Sequence, residues 1–125
     1  SSNVLTEATH GGRTIVVPNF SADSVVTLPA PKAGLSFHFI YGGAAADGTD
    51  VTIQTTGNTL FFKGAVTFLD ATDDEHSSTV FADGTAHFKL KVDTTQALDI
   101  RIVGISATVY YISGNATSVT VPAFA

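Results

Sequence analysis

The feature that most constrains this fold is a succession of short stretches in which apolar and polar residues alternate, each ended by Gly, Pro, Asn or Asp. Residues 35–41 are the clearest case, since Leu, Phe, Phe and Tyr alternate there with Ser, His and Ile. Side chains alternate across a strand, so this stretch predicts a strand with one aromatic face. Turn residues recur at roughly 8–12-residue spacing, which is typical of a sandwich or barrel.

We therefore predict an all-β fold, a single-domain β-sandwich that is jelly-roll-like and has about ten short antiparallel strands. Residues 1–12 are expected to form an N-terminal arm, and residues 13–125 the β domain. Gly57-Asn58 predicts a hairpin between strands at 50–55 and 59–63. Gly64 is expected to break a strand, and Gly114-Asn115 to turn the chain.

Composition excludes several classes of partner. Charged residues make up 14% of the chain, against about 25% in typical domains, and so few charges favour association with other protein surfaces. The net charge of −5 and only six basic residues argue against a nucleic-acid binder. No apolar run approaches the roughly 20 residues that span a bilayer, and no signal peptide is visible, so no membrane partner is expected.

An acidic segment at 70–76 is the best candidate for a metal site, because several carboxylates in one loop can hold Ca²⁺. Its spacing matches no EF-hand, and we expect a solvated loop without metal. A second pair of acidic residues flanks Gly48, and we expect it also to be solvated and without metal. The residues concerned are Asp70, Asp73, Asp74, Glu75 and His76 in the first segment, and Asp47 and Asp50 in the second.

No motif indicates an enzyme or a cofactor. The chain has neither a Gly-x-Ser-x-Gly elbow nor a phosphate-binding glycine loop, and it has no dinucleotide fingerprint. Its four histidines lack metal-ligand spacing, and cysteine is absent, so no thiolate site exists. His38 and His87 fall on strand faces opposite the aromatic ones, which indicates a surface or subunit interface.

Adjacent apolar residues supply further interface candidates. Phe61 and Phe62 must point to opposite faces of one strand, so covering both requires a second sheet or another subunit. Val4 and Leu5 are the large apolar residues of the expected arm, which is a candidate for docking on a neighbouring chain. The candidate capsid or subunit interface residues are Val4, Leu5, His10, His38, Phe61, Phe62 and His87.

Four segments carry a resemblance to a known family: Thr-Ile-Val-Val-Pro-Asn at 14–19, the stretch at 27–48 that includes Gly-Leu-Ser-Phe-His-Phe-Ile-Tyr-Gly-Gly, Tyr-Tyr-Ile-Ser-Gly at 110–114, and Val-Pro-Ala-Phe-Ala at 121–125. Together they resemble small β-rich structural proteins of tailed bacteriophages, above all the capsid cement (decoration) proteins. The resemblance implies a virion protein on the outer surface of the icosahedral head, made in the host cytoplasm. It implies the major capsid protein as partner and self-association as a homotrimer, with a homodimer as the alternative.

Two other functions remain open at this point. A receptor- or glycan-binding module of a phage tail fibre or spike is also β-rich, and it would be favoured by an exposed aromatic row or an ion site at residues 70–76. A degenerate hydrolase or lyase would need paired acids in a cleft, and no pair is placed for it.

Overall fold

The structure, a computed structural model, describes residues 2–18, 22–43, 50–72 and 76–125. These ranges contain one short helix and a series of strands that form two sheets. In chain order the elements are β1 (Ser2–Val4), α1 (Glu7–His10), β2 (Arg13–Val17), β3 (Ser24–Thr27), β4 (Ser36–Tyr41), β5 (Val51–Gln54), β6 (Phe61–Asp70), β7 (Ser77–Asp83), β8 (Lys89–Val92), β9 (Thr95–Gly104), β10 (Val109–Ser118) and β11 (Ala123–Phe124).

The two sheets pack as a sandwich. The five-stranded sheet has the order β1-β3-β5-β8-β11, and the six-stranded sheet has the order β2-β4-β9-β10-β6-β7. From β1 to β6 the chain changes sheet at every step, so β1, β3 and β5 lie parallel, as do β2 and β4. The predicted single-domain β-sandwich is confirmed. Its sheets are mixed, because β6 and β10 also pair in parallel, whereas the prediction had only antiparallel pairs.

The core is built from the inward residues of both sheets. In β4 the aromatic side chains Phe37, Phe39 and Tyr41 are buried, and the residues between them are half-buried, as the alternation predicted. The Tyr110 ring meets Phe37 edge-on, with 6.3 Å between ring centroids. The Tyr110 hydroxyl donates a 2.7 Å hydrogen bond to the Pro29 carbonyl, which ties the proline-rich corner to the six-stranded sheet.

The segment predicted as an N-terminal arm packs on its own domain. β1 extends the five-stranded sheet by pairing in parallel with β3, and the Leu5 amide donates to the Thr27 carbonyl at 2.8 Å. Leu5 is only 5% exposed and belongs to the core, whereas the prediction placed it at an interface. Thr6 caps α1 by accepting a hydrogen bond from the Thr9 amide.

Three glycine signals were misinterpreted. Gly57-Asn58 does not close a hairpin, because β5 and β6 lie in different sheets. Gly64 and Gly114 lie inside β6 and β10 rather than at strand ends. Both have positive φ and press against a neighbouring strand, so the structure needs glycine there. Within the described ranges, no helix is long and apolar enough to cross a membrane.

Candidate interaction surface

The six-stranded sheet has one side on the core and one side on the solvent. We call this solvent side the outer face. It consists of the residues that alternate with the core positions in each strand, matched across strands by the pairing register. Its members are Thr14 and Val16 in β2, Ser36, His38 and Ile40 in β4, Ala97, Asp99, Arg101 and Val103 in β9, Val109, Tyr111, Ser113, Asn115 and Thr117 in β10, Phe61, Lys63, Ala65, Thr67 and Leu69 in β6, and Ser77, Thr79, Phe81 and Asp83 in β7.

Exposed apolar side chains concentrate on the outer face. Of the nine large apolar residues that are exposed in the described part of the chain, five lie there: Val16, Leu69, Phe81, Val103 and Tyr111. Phe81 is the most exposed of all nine, at 74%. A contiguous sheet surface with exposed aromatic side chains is the composition found at protein interfaces.

The opposite surface of the sandwich has a different character. On the solvent side of the five-stranded sheet, Gln54 donates to the Thr27 hydroxyl at 3.1 Å. Lys91 forms ion pairs with Asp50 at 3.3 Å and Asp93 at 3.4 Å, and the hydrogen bond to Asp50 is the main cause of its raised pKa. These polar groups therefore satisfy one another, which leaves the outer face as the better candidate for docking.

A polar groove crosses the outer face near β2. It has a volume of about 450 Å³ and is lined by residues of β2, β4, β9 and β10. His38 is one of its lining residues, and His38 Nε2 is 2.6 Å from Asp99 Oδ1. The carboxylate accepts this hydrogen bond, so Nε2 carries the proton. The other ring nitrogen lies 3.5 Å from the Thr14 hydroxyl.

Thr14, His38 and Asp99 place a hydroxyl, an imidazole and a carboxylate in one row. The same three groups occur in serine hydrolases, where the hydroxyl is the nucleophile. Here the hydroxyl-to-imidazole distance is at the limit of a hydrogen bond. Backbone amides on this part of β4 and β9 pair within the sheet, so they are not free to stabilise an oxyanion. The geometry suits a structural hydrogen bond between His38 and Asp99 better than acyl transfer.

The structure separates the remaining interface candidates. Phe62 is fully buried in the core, whereas the prediction placed it at an interface, and Phe61 is half-buried. Val4 is 69% exposed on the edge strand β1. His10 lies in α1, where its Nδ1 accepts from the Thr6 amide at 3.1 Å.

His87 and His38, two of the predicted interface histidines, lie in environments that differ from each other. His87 precedes β8 rather than lying within it, and its ring packs 6.1 Å from the Phe124 ring. His38 does lie on a solvent-facing sheet surface, as predicted. The residues predicted as one interface set are therefore spread over several places, and two of them, His38 and Phe61, lie on the outer face.

The acidic segment at 70–76 is described only at its ends. Asp70 accepts hydrogen bonds from the side chain and the backbone amide of Thr72, and these lower its pKa. His76 Nδ1 lies 3.4 Å from Asp70 Oδ2. Asp73, Asp74 and Glu75 lie outside the described residues, as does Asp47 of the second predicted pair. Among the residues that are described, no three acidic or histidine side chains are grouped to hold a metal ion.

Sequence reasoning missed Phe81, Val103 and Tyr111 as surface residues. Tyr110 and Tyr111 are adjacent in one strand, so one of the two had to face outward, which is the argument already applied to Phe61 and Phe62. That signal was present and identifies an outward ring, although it does not say which of the two is outward.

Comparisons with protein-family models, with curated proteins and with solved structures give no match for this chain.

Proposed function

We propose that this protein is a capsid cement protein of a tailed bacteriophage. It binds the outer surface of the icosahedral head and stabilises the contacts between major capsid protein subunits, without catalysing a reaction. The observation that carries this proposal is the outer face, a broad sheet surface on which exposed apolar side chains concentrate. The resemblance of the sequence to cement proteins supplies the partner.

The size of the outer face supports a protein partner. Six strands at about 4.8 Å spacing and up to ten residues at about 3.3 Å rise give a surface of roughly 25 by 30 Å. That is about 750 Å², close to the roughly 800 Å² that each partner contributes to a standard protein interface. One copy can therefore form one interface of ordinary size, and repetition by the symmetry of the head would add avidity.

We further propose that the protein acts as a homotrimer, as the resemblance implies. The edges of the six-stranded sheet support self-association, because β2 and β7 each pair on one side only among the described strands. β7 is seven residues long, and an edge strand of this length is a template for pairing with another chain. Pairing between copies would bury this edge and leave the outer face for the capsid.

Co-sedimentation tests the proposal. The purified chain is mixed with undecorated heads assembled from the major capsid protein of the same genome, and the protein bound per head is quantified. We expect saturable binding that Phe81→Ser weakens at least tenfold. Val4→Ser is the matched control, because it removes a similarly exposed apolar side chain from the other sheet and should leave binding unchanged.

The alternative function gives the opposite result. A receptor- or glycan-binding module would not bind the heads but would be retained on host cells or their polysaccharide. In the described part of the chain, the exposed aromatic rings are Phe81 and Tyr111, on strands separated by β6. Two separated rings are not the exposed aromatic row that this function would favour.

A further inference from the structure

The two edge strands of the six-stranded sheet, β2 and β7, are both open to pairing. Each pairs on one side only among the described strands. Residues 14–17 of β2 and 77–82 of β7 include no charged residue and no proline. Charged side chains, lysine above all, and proline are the usual means by which a protein keeps an edge strand from pairing with another chain. Neither edge is protected in this way.

The backbone of β2 presents its free hydrogen-bonding groups at Thr14 and Val16. Along a strand, the N–H and C=O groups of successive residues point alternately to the two sides within the sheet. The Val17 carbonyl accepts a 2.8 Å hydrogen bond from the amide of Gly42, the residue that follows β4, so Val17 faces β4. Val16 lies one residue before Val17 and Thr14 lies three before it, so the backbone groups of both face the open edge.

The backbone of β7 has the same arrangement. The carbonyl of His76, the residue before β7, accepts a 3.2 Å hydrogen bond from the Asp70 amide in β6. The backbone groups of residues 78, 80 and 82 therefore face β6, and those of residues 77, 79, 81 and 83 face the open edge. In both edge strands, the residues with free backbone groups are the ones whose side chains lie on the outer face.

This arrangement allows β2 and β7 of two copies to pair in one direction only. Antiparallel strands place hydrogen-bonded residues directly opposite each other, with their side chains on the same face of the sheet. In a parallel pair, the bonded residues of the two strands lie on opposite faces, which these two edges do not offer. A sheet that continues from one copy into the next therefore requires antiparallel pairing of β2 with β7.

Side chains on the outer face select the register of this pair. Among the exposed apolar residues of that face, Phe81 and Val16 are the two most exposed, at 74% and 60%, and they lie on opposite edges of the sheet. Antiparallel pairing with Val16 opposite Phe81 joins a β-branched and an aromatic side chain, which is a favourable cross-strand pair. A slip by two residues would set Phe81 opposite Thr14 and lose this contact.

The same register covers the core at both edges. Ile15 in β2 and Val80 in β7 pack against the core but are only partly buried. With Val16 opposite Phe81, Val80 lies opposite Val17, and Ala82 lies opposite Ile15. The inner side of the joint is therefore apolar on both strands. Pairing removes the two partly buried side chains from water, which favours association.

We propose that β2 of one copy pairs antiparallel with β7 of the next copy, with Val16 opposite Phe81, and that this contact joins the copies of the homotrimer. The inference rests on the proposed function, since it names the surface by which the proposed trimer associates. Because the two edges differ, the contact is head-to-tail, and each copy uses β2 towards one neighbour and β7 towards the other. Three copies around a three-fold axis close such contacts into a ring.

Cysteine cross-linking tests the pairing, because the chain contains no cysteine of its own. The Cα atoms of directly opposite, hydrogen-bonded residues lie about 5.5 Å apart, a separation that a disulfide can span. The full chain is prepared as Val16→Cys and as Phe81→Cys, and each variant is oxidised alone and in an equal mixture. We expect a cross-linked dimer only in the mixture. No cross-link in the mixture, or a cross-linked dimer from Phe81→Cys alone, would overturn the proposal.

A double variant tests whether the contacts close into a ring. Val16→Cys and Phe81→Cys in one chain should give a ladder on a non-reducing gel that ends at three copies, whereas a ladder that continues further would overturn the closed trimer. Val4→Cys with Phe81→Cys is the control, because Val4 is 69% exposed but lies on the five-stranded sheet. Equal cross-linking of this control would refute the specific pairing of β2 with β7.

Sedimentation equilibrium tests the contact without cysteine. Val16→Lys places a charge on the open edge and should raise the concentration at which half of the trimer dissociates at least tenfold. Val4→Lys is the matched control and should leave that concentration unchanged. Both variants should keep the circular dichroism spectrum of the wild type, because both positions are exposed. A wild-type chain that stays monomeric at every soluble concentration, or equal effects of the two lysines, would overturn the proposal.

The pairing and the cement function fail in different ways. If heads bind the wild-type chain in co-sedimentation but the cysteine mixture does not cross-link, the pairing is refuted and the cement function stands. If the ladder ends at three copies but heads bind no protein, the pairing stands and the cement function fails.

Discussion

Phe81 should matter for docking and little for folding, whereas Phe62 should do the reverse. A phenylalanine side chain offers about 200 Å² of surface, so at 74% exposure Phe81 buries about 50 Å² in the free protein. At about 25 cal/mol per Å², this is worth about 1.3 kcal/mol of folding stability. The remaining 150 Å² or so is available to a partner and would contribute about 3.7 kcal/mol before the costs of ordering are subtracted.

We therefore expect Phe81→Ala to lower the free energy of unfolding by about 1 kcal/mol or less and to weaken head binding by about 2 to 3 kcal/mol, which is roughly 30- to 150-fold. Phe62 is completely buried, and Phe62→Ala should cost about 3–5 kcal/mol of stability. Urea unfolding followed by circular dichroism measures the stabilities, and co-sedimentation with heads measures binding. If Phe81→Ala destabilises the fold as much as Phe62→Ala, or leaves head binding unchanged, Phe81 is not a docking residue.

Three further predictions concern the scaffold. Tyr110→Phe leaves the Pro29 carbonyl without its hydrogen bond and should lower the unfolding free energy by about 1–3 kcal/mol in urea, and an unchanged midpoint would contradict this. Gly114→Ala would place a Cβ 2.0 Å from the Asp99 carbonyl oxygen, at a residue with φ +125°. We therefore expect the variant to lose at least about 2 kcal/mol of unfolding free energy. A variant as stable as the wild type would contradict the close approach of β9 to Gly114. The pKa of Asp83 is lowered from 3.8, mainly by a hydrogen bond from the backbone amide two residues on. Its contribution to stability is therefore present above pH 3.8 and lost as the pH falls through the lower folded-state pKa. Asp83→Asn should therefore lose less stability on acidification than the wild type does. Identical profiles of stability against pH in the two proteins would contradict this.

Local alternation predicted the strands well because it depends only on neighbouring residues. The aromatic side of residues 35–41 became the buried side of β4, and the solvent-facing position of His38 followed from the same pattern. The faces of a strand are set by its own sequence once one face is apolar.

Which strands pair with one another could not be predicted from the local sequence pattern. Gly57-Asn58 has hairpin chemistry, yet the strands on either side of it belong to different sheets. A turn signal indicates that the chain reverses its direction, but it does not indicate that the two flanking strands pair with each other. Parallel pairs such as β6 with β10 join residues that are far apart in sequence, and no turn marks them.

The candidate site depended on those distant pairings. His38 and Asp99 are 61 residues apart and meet only because β4 lies beside β9. Arg101 reaches the groove through the same register. The sequence showed that His38 faces outward, but the charged groups around it follow from the sheet order.

The most direct test of the account is a cryo-electron microscopy reconstruction of heads incubated with the protein. We expect symmetric occupancy on the outer shell, with the outer face of the six-stranded sheet against the major capsid protein and Phe81 and Arg101 inside the interface. Heads that carry no bound protein, or a bound protein that presents its five-stranded sheet to the shell, would contradict the proposed docking.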